Sequence, residues 1–132
     1  MAAKLRQFVL FAVVGATGFV VDAGILIVLI AAGLSPFFAR LPSFLSAATY
    51  TWALNRRVTF RDRSSNLFRQ WLHFLAVNSA GGLVNLSVYT FLMWPDGATS
   101  AFPIAAVAAG SLSGLFFNFG LSKKLIFKDS AA

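Results

Sequence analysis

The sequence predicts an all-α integral membrane protein with four transmembrane helices, arranged as two parallel-repeat hairpins with both termini in the cytoplasm. Three observations carry this prediction. The 132-residue chain is 58% hydrophobic and contains no glutamate, whereas about a quarter of the residues in a soluble domain are charged. Four long apolar segments follow one another. A short basic phrase occurs twice, as LNRRVTFRD at 54–62 and as LSKKLIFKD at 121–129.

The four apolar segments are long enough for membrane-spanning helices, which need about 20 residues each. We expect the spans at about 7–33, 36–54, 71–94 and 102–121, separated by LSP, by the charged RRVTFRDRSSN loop and by the turn-rich WPDGATS. The first apolar segment resembles a signal peptide but continues beyond the length of one, which predicts a retained first helix. All four spans belong to one predicted domain, 1–132.

Lysine and arginine gather on one side of these spans. That side holds Lys4, Arg6, Arg56, Arg57, Arg61, Arg63, Arg69, Lys123, Lys124 and Lys128, and the other side holds Arg40. The positive-inside rule then places both termini and the central loop in the cytoplasm. We expect a multi-pass protein of the cytoplasmic (inner) membrane. The net charge of +7 flanks apolar spans, which favours anionic lipids and argues against nucleic acid as partners.

The two copies of the basic phrase belong to a longer internal repeat. Asp22 corresponds to Asn85 at a spacing of 63, and the phrases are spaced by 67, so four residues were added near Pro95-Asp96-Gly97. The repeat units are then about 6–63 and 69–129, each a helical hairpin with a basic tail. Two spans in each unit give both units the same orientation, which predicts a parallel repeat.

Several polar residues lie in the predicted spans. Asp22, Asn78 and Asn85 could lock helices together by hydrogen bonds or line a polar path for a substrate. Small residues recur every four positions in two stripes, where close helix packing is expected. The stripes are Ser43, Ala47, Thr51 and Asn55 in the second span, and Ala106, Gly110, Gly114 and Asn118 in the fourth.

The paired cations of each basic phrase could serve as phosphate donors or simply as topogenic charge. No arrangement typical of an enzyme accompanies them. His73 is the single histidine and cysteine is absent, so no metal site, cofactor or catalytic triad is expected. The sequence predicts a protein that is not an enzyme.

Taken together, RQFVLFAVVGATGFVVDAGIL, TWALNRRVTF and NFGLSKKLIF resemble the GtrA-like family over nearly the whole chain. The family also resembles the membrane part of some polyprenyl-phosphate sugar synthases. In this chain, Thr51 and Ser122 stand where the family often has asparagine. The resemblance implies translocation, or flipping, of a polyprenyl-phosphate-linked monosaccharide across the cytoplasmic membrane for cell-surface polysaccharide synthesis or modification.

The resemblance also implies roles for particular residues. The lipid phosphate would be held by Arg56, Arg57, Lys123 and Lys124 and oriented by Asn55 and Asn118, while Asp22, Asn78 and Asn85 form the polar path or helix lock. A homodimer and a membrane glycosyltransferase are expected partners. Two alternatives remain: a non-catalytic membrane anchor of a polyprenyl-phosphate glycosyltransferase, and a small proton-coupled multidrug exporter, although such exporters use a glutamate.

Overall fold

The structure, a computed structural model, describes residues 2–93 and 103–127, and all of their regular secondary structure is helical. The α-helices are α1 (Ala2–Ala31), α2 (Pro36–Leu54), α3 (Leu67–Met93) and α4 (Pro103–Leu121). Two π-helices, Asn55–Thr59 and Ser122–Ile126, directly follow α2 and α4. The all-α prediction is confirmed. The predicted insertion at Pro95-Asp96-Gly97, and Lys128 and Asp129 of the second basic phrase, lie outside the described residues.

Within the described residues, three segments are long and apolar enough to cross a membrane: Ala2–Ala31, Leu67–Leu92 and Ala105–Ile126. The shorter α2 is less apolar because it carries Arg40, two prolines and several serines and threonines. Its role as a fourth span stays a prediction. Large apolar side chains face outward on the long helices, with Phe19 72% and Phe91 78% exposed, as expected where lipid replaces water around the protein.

The described residues fall into two compact units, the first holding those up to Trp71 together with Phe127, and the second those of Leu72–Ile126. In the first unit α1 packs against α2 through small residues. Gly18 of α1 is buried so closely against Thr51 that a methyl group at Gly18 would overlap the Thr51 Cγ2 atom. Ser43 and Ala47, from the stripe that includes Thr51, are also buried.

In the second unit α3 and α4 approach each other even more closely. A Cβ atom added to Gly114 would lie 2.8 Å from the Gly81 carbonyl oxygen, and one added to Gly110 would lie 2.7 Å from that of Asn85. Backbone carbonyl groups cannot move aside as a flexible side chain can. The glycines of the predicted α4 stripe therefore allow helix contact at backbone distance, as small residues do between membrane helices.

Candidate functional site

The first basic phrase forms a wide helical turn. The Phe60 amide donates to the Asn55 carbonyl oxygen at 2.9 Å, a bond between residues five apart, and the Asp62 amide donates to the Arg56 carbonyl oxygen at 2.9 Å. Arg61 then adopts a left-handed conformation, with φ of 50°, and the helix ends. The sequence predicted a loop from Arg56 onward, and the structure corrects this to a π-helix as far as Thr59. Such turns are rare in proteins overall, and those that occur often lie at functional sites.

The two π-helices have matching patterns of burial. In each, the first residue is buried, the first cation is half-buried, the second cation and the next apolar residue are exposed, and the last residue is buried, as is the residue that follows the π-helix. In order, the pairs are Asn55 and Ser122, Arg56 and Lys123, Arg57 and Lys124, Val58 and Leu125, Thr59 and Ile126, and Phe60 and Phe127. The gapless sequence alignment of the two phrases thus has a structural counterpart.

The first position of each π-helix faces inward. Asn55 is 2% exposed, and its Oδ1 atom accepts a hydrogen bond from Thr59 Oγ1 at 2.8 Å. Ser122 is fully buried, and its hydroxyl oxygen has no hydrogen-bond partner in the described part of the chain. The Asn55 side chain, predicted to orient a phosphate, is engaged inside its own helical turn.

Arg56 belongs to a polar cluster formed with Asp62, Ser64 and Gln70. Its guanidinium donates from Nη1 to Gln70 Oε1 at 2.6 Å and from Nη2 to the Ser64 carbonyl oxygen at 2.6 Å. Asp62 Oδ1 lies 3.5 Å from Nη1 of Arg56. The Arg56 side chain is only 15% exposed and the Asp62 side chain 2%. Arg56 thus ties the π-helix to the following loop and to the start of α3.

The Asp62 carboxylate is stabilised in its charged form within this cluster. Burial opposes ionisation, but hydrogen bonds from the side chain and backbone of Ser64 and from Gln70, together with the charge of Arg56, outweigh it and lower the pKa of Asp62. The Ser64 amide donates to Asp62 Oδ1 at 2.7 Å. The cluster therefore contains a stable internal anion beside the first cation of the phrase.

The second cation of each phrase is available to a ligand. Arg57 and Lys124 are exposed, and each precedes an exposed apolar residue, Val58 at 44% and Leu125 at 60%. A cation beside an apolar side chain suits the boundary between headgroups and acyl chains. Lys123 is half-buried and already interacts within the protein. Of the four predicted phosphate-binding cations, Arg57 and Lys124 are the exposed ones.

The predicted polar residues of α3 and α4 lie in or near the contact between these helices. Asn85 touches Gly110, and Asn118 lies against Gly81. Asn118 Oδ1 is buried and has no hydrogen-bond partner among the described residues. Asn78 Nδ2 donates to the Phe74 carbonyl oxygen of its own helix at 2.9 Å.

Asp22 forms an ion pair that the sequence analysis missed. Its Oδ2 atom lies 2.6 Å from Nη1 of Arg40, and the side chains are 16% and 57% exposed respectively. Asp22 is the single acidic residue of α1 and Arg40 the single charged residue of α2. A lone acid and a lone cation on consecutive apolar helices was the signal available in the sequence. It was overlooked because Arg40 was counted only for topology.

These features define an all-helical membrane protein with two short basic π-helices. The chain belongs to the GtrA/DPMS transmembrane-domain family: the family described as GtrA/DPMS, transmembrane domain, matches residues 10–128. No curated protein matches the chain. The predicted family resemblance is confirmed, and membership suggests a membrane protein of polyprenyl-phosphate sugar handling.

Proposed function

We propose that the protein translocates a polyprenyl-phosphate-linked monosaccharide across the cytoplasmic membrane for the synthesis or modification of cell-surface polysaccharide. The observation that carries this proposal is the repeated surface of the two π-helices, in which Arg57 and Lys124 are exposed beside Val58 and Leu125. A polyprenyl phosphate has the complementary chemistry, an anion joined to a long apolar chain. The family of the chain points to the same class of lipid.

The two cations have different tasks in this proposal. Arg57 binds the phosphate through two parallel N–H donors, whereas Lys124 offers a single mobile charge. The two ends of the repeat are thus unequal binders. Arg56, because it is engaged with Asp62 and Gln70, holds the π-helix in the conformation that exposes Arg57.

The sugar needs polar partners where the lipid does not. Asn118 Oδ1 and Ser122 Oγ lie one turn apart on α4 and its extension, and both are buried without a hydrogen-bond partner in the described chain. Each could accept a hydrogen bond from a sugar hydroxyl, because an unpaired buried oxygen gains most from a new donor. Asn78 and Asn85 supply further amides on α3.

The proposed mode is passive equilibration of the lipid-linked sugar between leaflets by a homodimer. A membrane glycosyltransferase would load the sugar onto the polyprenyl phosphate at the cytoplasmic face, and the resulting concentration difference would drive net movement. The basic phrases, at the ends of α2 and α4, would lie at that face and receive the lipid. Anionic lipids would compete for the same cations.

Proteoliposomes test the proposal by the reorientation rate of a short-chain polyprenyl-phosphate monosaccharide. The key variant is Arg57→Gln/Lys124→Gln, and the matched control is Arg63→Gln/Arg69→Gln, which removes the same charge from exposed positions outside the phrases. We expect the key variant to lose roughly tenfold in rate, equivalent to about 1.4 kcal/mol, and the control to keep the rate of the unmodified protein.

Equal losses of reorientation rate in the two double variants would show that the basic phrases contribute only general surface charge. No reorientation by the unmodified protein would favour the anchor hypothesis. That alternative predicts that a glycosyltransferase co-purifies with the chain and loses membrane association without it.

A further inference from the structure

The ion pair between Asp22 and Arg40 leaves most of the arginine unoccupied. One oxygen of the Asp22 carboxylate accepts a hydrogen bond from Nη1 at 2.6 Å, and no other partner of the Arg40 guanidinium is found in the described residues. A guanidinium has five N–H donors in a planar fork. The edge formed by Nε and Nη2, which is suited to two oxygens of one phosphate, therefore remains available.

Arg40 also lines an open apolar groove. The groove has a volume of about 550 Å³ and is lined by Phe37, Phe38, Arg40, Leu41, Pro42 and Phe44. Three of these apolar side chains are strongly exposed: Phe37 at 82%, Phe38 at 70% and Leu41 at 64%. A cation at the wall of an apolar groove fits a ligand with an anionic head and a hydrocarbon chain.

Arg40 lies at the opposite end of α2 from the first basic phrase. The 14 residues from Arg40 to Leu54 rise about 21 Å at 1.5 Å per residue, compared with about 30 Å for the hydrocarbon core of a bilayer. Long arginine side chains extend toward the nearer interface. If α2 spans the membrane as the sequence predicts, its two ends present cations toward opposite headgroup layers.

We propose that Arg40 and the groove beside it form a second site for the phosphate of an anionic lipid, at the membrane face opposite the first basic phrase. This inference rests on the proposed function, which requires the lipid phosphate to be received after it has crossed. In that role Arg40 is the receiving cation, and the groove holds the first isoprene units of the lipid.

Asp22 gives this second site its character. A phosphate that approaches Arg40 meets a cation whose charge is already balanced by the Asp22 carboxylate at 2.6 Å. The lipid phosphate is therefore bound weakly and dissociates readily into the surrounding bilayer. The Arg40 guanidinium then pairs with the Asp22 carboxylate alone. Removing the Asp22 charge should tighten phosphate binding if the carboxylate competes with the phosphate for Arg40. A carboxylate with only a structural role would not give that result.

Fluorescence quenching tests the site without any need for transport. The substitution Phe38→Trp introduces a reporter in the groove, and Phe91→Trp introduces one at an equally exposed position on α3. The probe is dibrominated phosphatidylglycerol, a phosphodiester with one negative charge, in phosphatidylcholine vesicles. Dibrominated phosphatidylcholine measures contact with lipid of no net charge. Protein without either reporter gives the background from its native tryptophans.

We expect the Phe38→Trp reporter to prefer phosphatidylglycerol roughly fivefold, which corresponds to about 1 kcal/mol, and the Phe91→Trp reporter to show no preference. Adding Arg40→Gln should abolish the preference, and Arg40→Lys should keep part of it. Adding Asp22→Asn should strengthen it roughly threefold or more. Free inorganic phosphate at millimolar concentration should not displace the probe, because it lacks the chain that fills the groove.

The site is refuted if Arg40→Gln leaves the preference unchanged, or if Asp22→Asn weakens it while the variant melts like the unmodified protein. Displacement by inorganic phosphate would overturn the lipid as its ligand. The result is independent of the transport assay. If the Phe38→Trp reporter prefers phosphatidylglycerol but the protein does not reorient the sugar-linked lipid, the proposed function alone is rejected. If the protein reorients that lipid but the reporter shows no preference, this second site alone is rejected.

Discussion

Phe60 and Phe127, the corresponding aromatic residues of the two basic phrases, stack on each other with ring centroids 4.6 Å apart and planes inclined by 11°. Both are buried, at 5% and 0% exposed. Phe11 of α1 adds an edge contact to Phe60 at 6.1 Å. This interaction between two residues 67 positions apart lies within the first unit.

Replacing Phe60 by alanine should destabilise the protein. The variant loses a stacked partner, worth about 0.5–1.5 kcal/mol, and leaves a cavity beside Phe127, so that the total loss should reach about 3 kcal/mol. The measurement is the thermal unfolding midpoint in detergent. Phe19→Ala is the matched control, because Phe19 is 72% exposed and should change the midpoint little. Equal shifts in both variants would contradict a packing role for the stack.

The Asp62 carboxylate should make stability depend on pH. Its pKa in the folded protein lies below the ordinary value of 3.8, so the ionised form stabilises the folded state. This contribution is complete above the unfolded pKa and is lost as the pH falls through the lowered, folded value. Asp62→Asn should therefore cost about 1.5–3 kcal/mol at pH 7, measured by thermal unfolding.

At acid pH the unmodified protein should lose that same contribution. The difference in unfolding midpoint between it and Asp62→Asn should narrow as the pH falls below the ordinary pKa of 3.8. It should be smallest below the folded pKa of Asp62, where both proteins carry an uncharged side chain at this position. A constant difference from pH 7 down to pH 2 would contradict a stabilising role for the charge of Asp62.

A methyl group at Gly114 should disrupt the contact between α3 and α4. The added carbon would lie 2.8 Å from the carbonyl oxygen of Gly81 and 3.2 Å from Asn85 Cβ, and relief requires the helices to separate. Gly114→Ala should cost about 1–3 kcal/mol. On the same helix, Gly120→Ala meets nothing within 4 Å and should be neutral or mildly stabilising, because alanine favours helices. Chemical denaturation of the two variants compares them directly.

Gly18 and Thr51 should behave as a coupled pair. Gly18→Ala alone overlaps the Thr51 methyl group and should destabilise the α1–α2 contact by about 1–2 kcal/mol. Thr51→Ser removes that methyl group and keeps the hydroxyl, which donates to the Ala48 carbonyl oxygen at 3.1 Å. The double variant should recover most of the loss in a thermal unfolding cycle.

Two comparisons make the Gly18 prediction specific. Gly15→Ala, on the same helix, meets nothing within 4 Å and should be tolerated with or without Thr51→Ser. If the two substitutions at Gly18 and Thr51 simply add their effects, the close approach at this point does not limit stability.

Much of the fold follows from local sequence signals. Pro36, the last residue of LSP, starts α2 at the predicted residue, and α2 ends at Leu54 as expected. By contrast, α1 begins five residues before the predicted start and α3 four residues before it. Short polar stretches at helix ends can continue a helix as readily as they end one. Composition therefore predicts that a span is present more reliably than it predicts the residue at which the helix begins.

The candidate site was predicted only at the level of residue types. The repeated phrase identified the cations, but their division into a half-buried Arg56 and an exposed Arg57 depends on contacts with Ser64 and Gln70, 8 and 14 positions away. The π-helical turn was equally invisible, because the bond from Phe60 to Asn55 requires no particular side chain. Tertiary contacts determine both features, and a single sequence does not reveal those contacts.

The pairing of Asp22 with Arg40 has a consequence for biogenesis. A single charge at the centre of an inserting helix costs about 2.5–3.5 kcal/mol, and α1 carries its acid 18 residues before the arginine of α2. Alone, α1 would bring the unbalanced charge of Asp22 into the lipid, whereas with α2 that charge is paired with Arg40. The hairpin formed by α1 and α2 is therefore the unit expected to leave the insertion machinery, with α1 retained there until Arg40 has been synthesised.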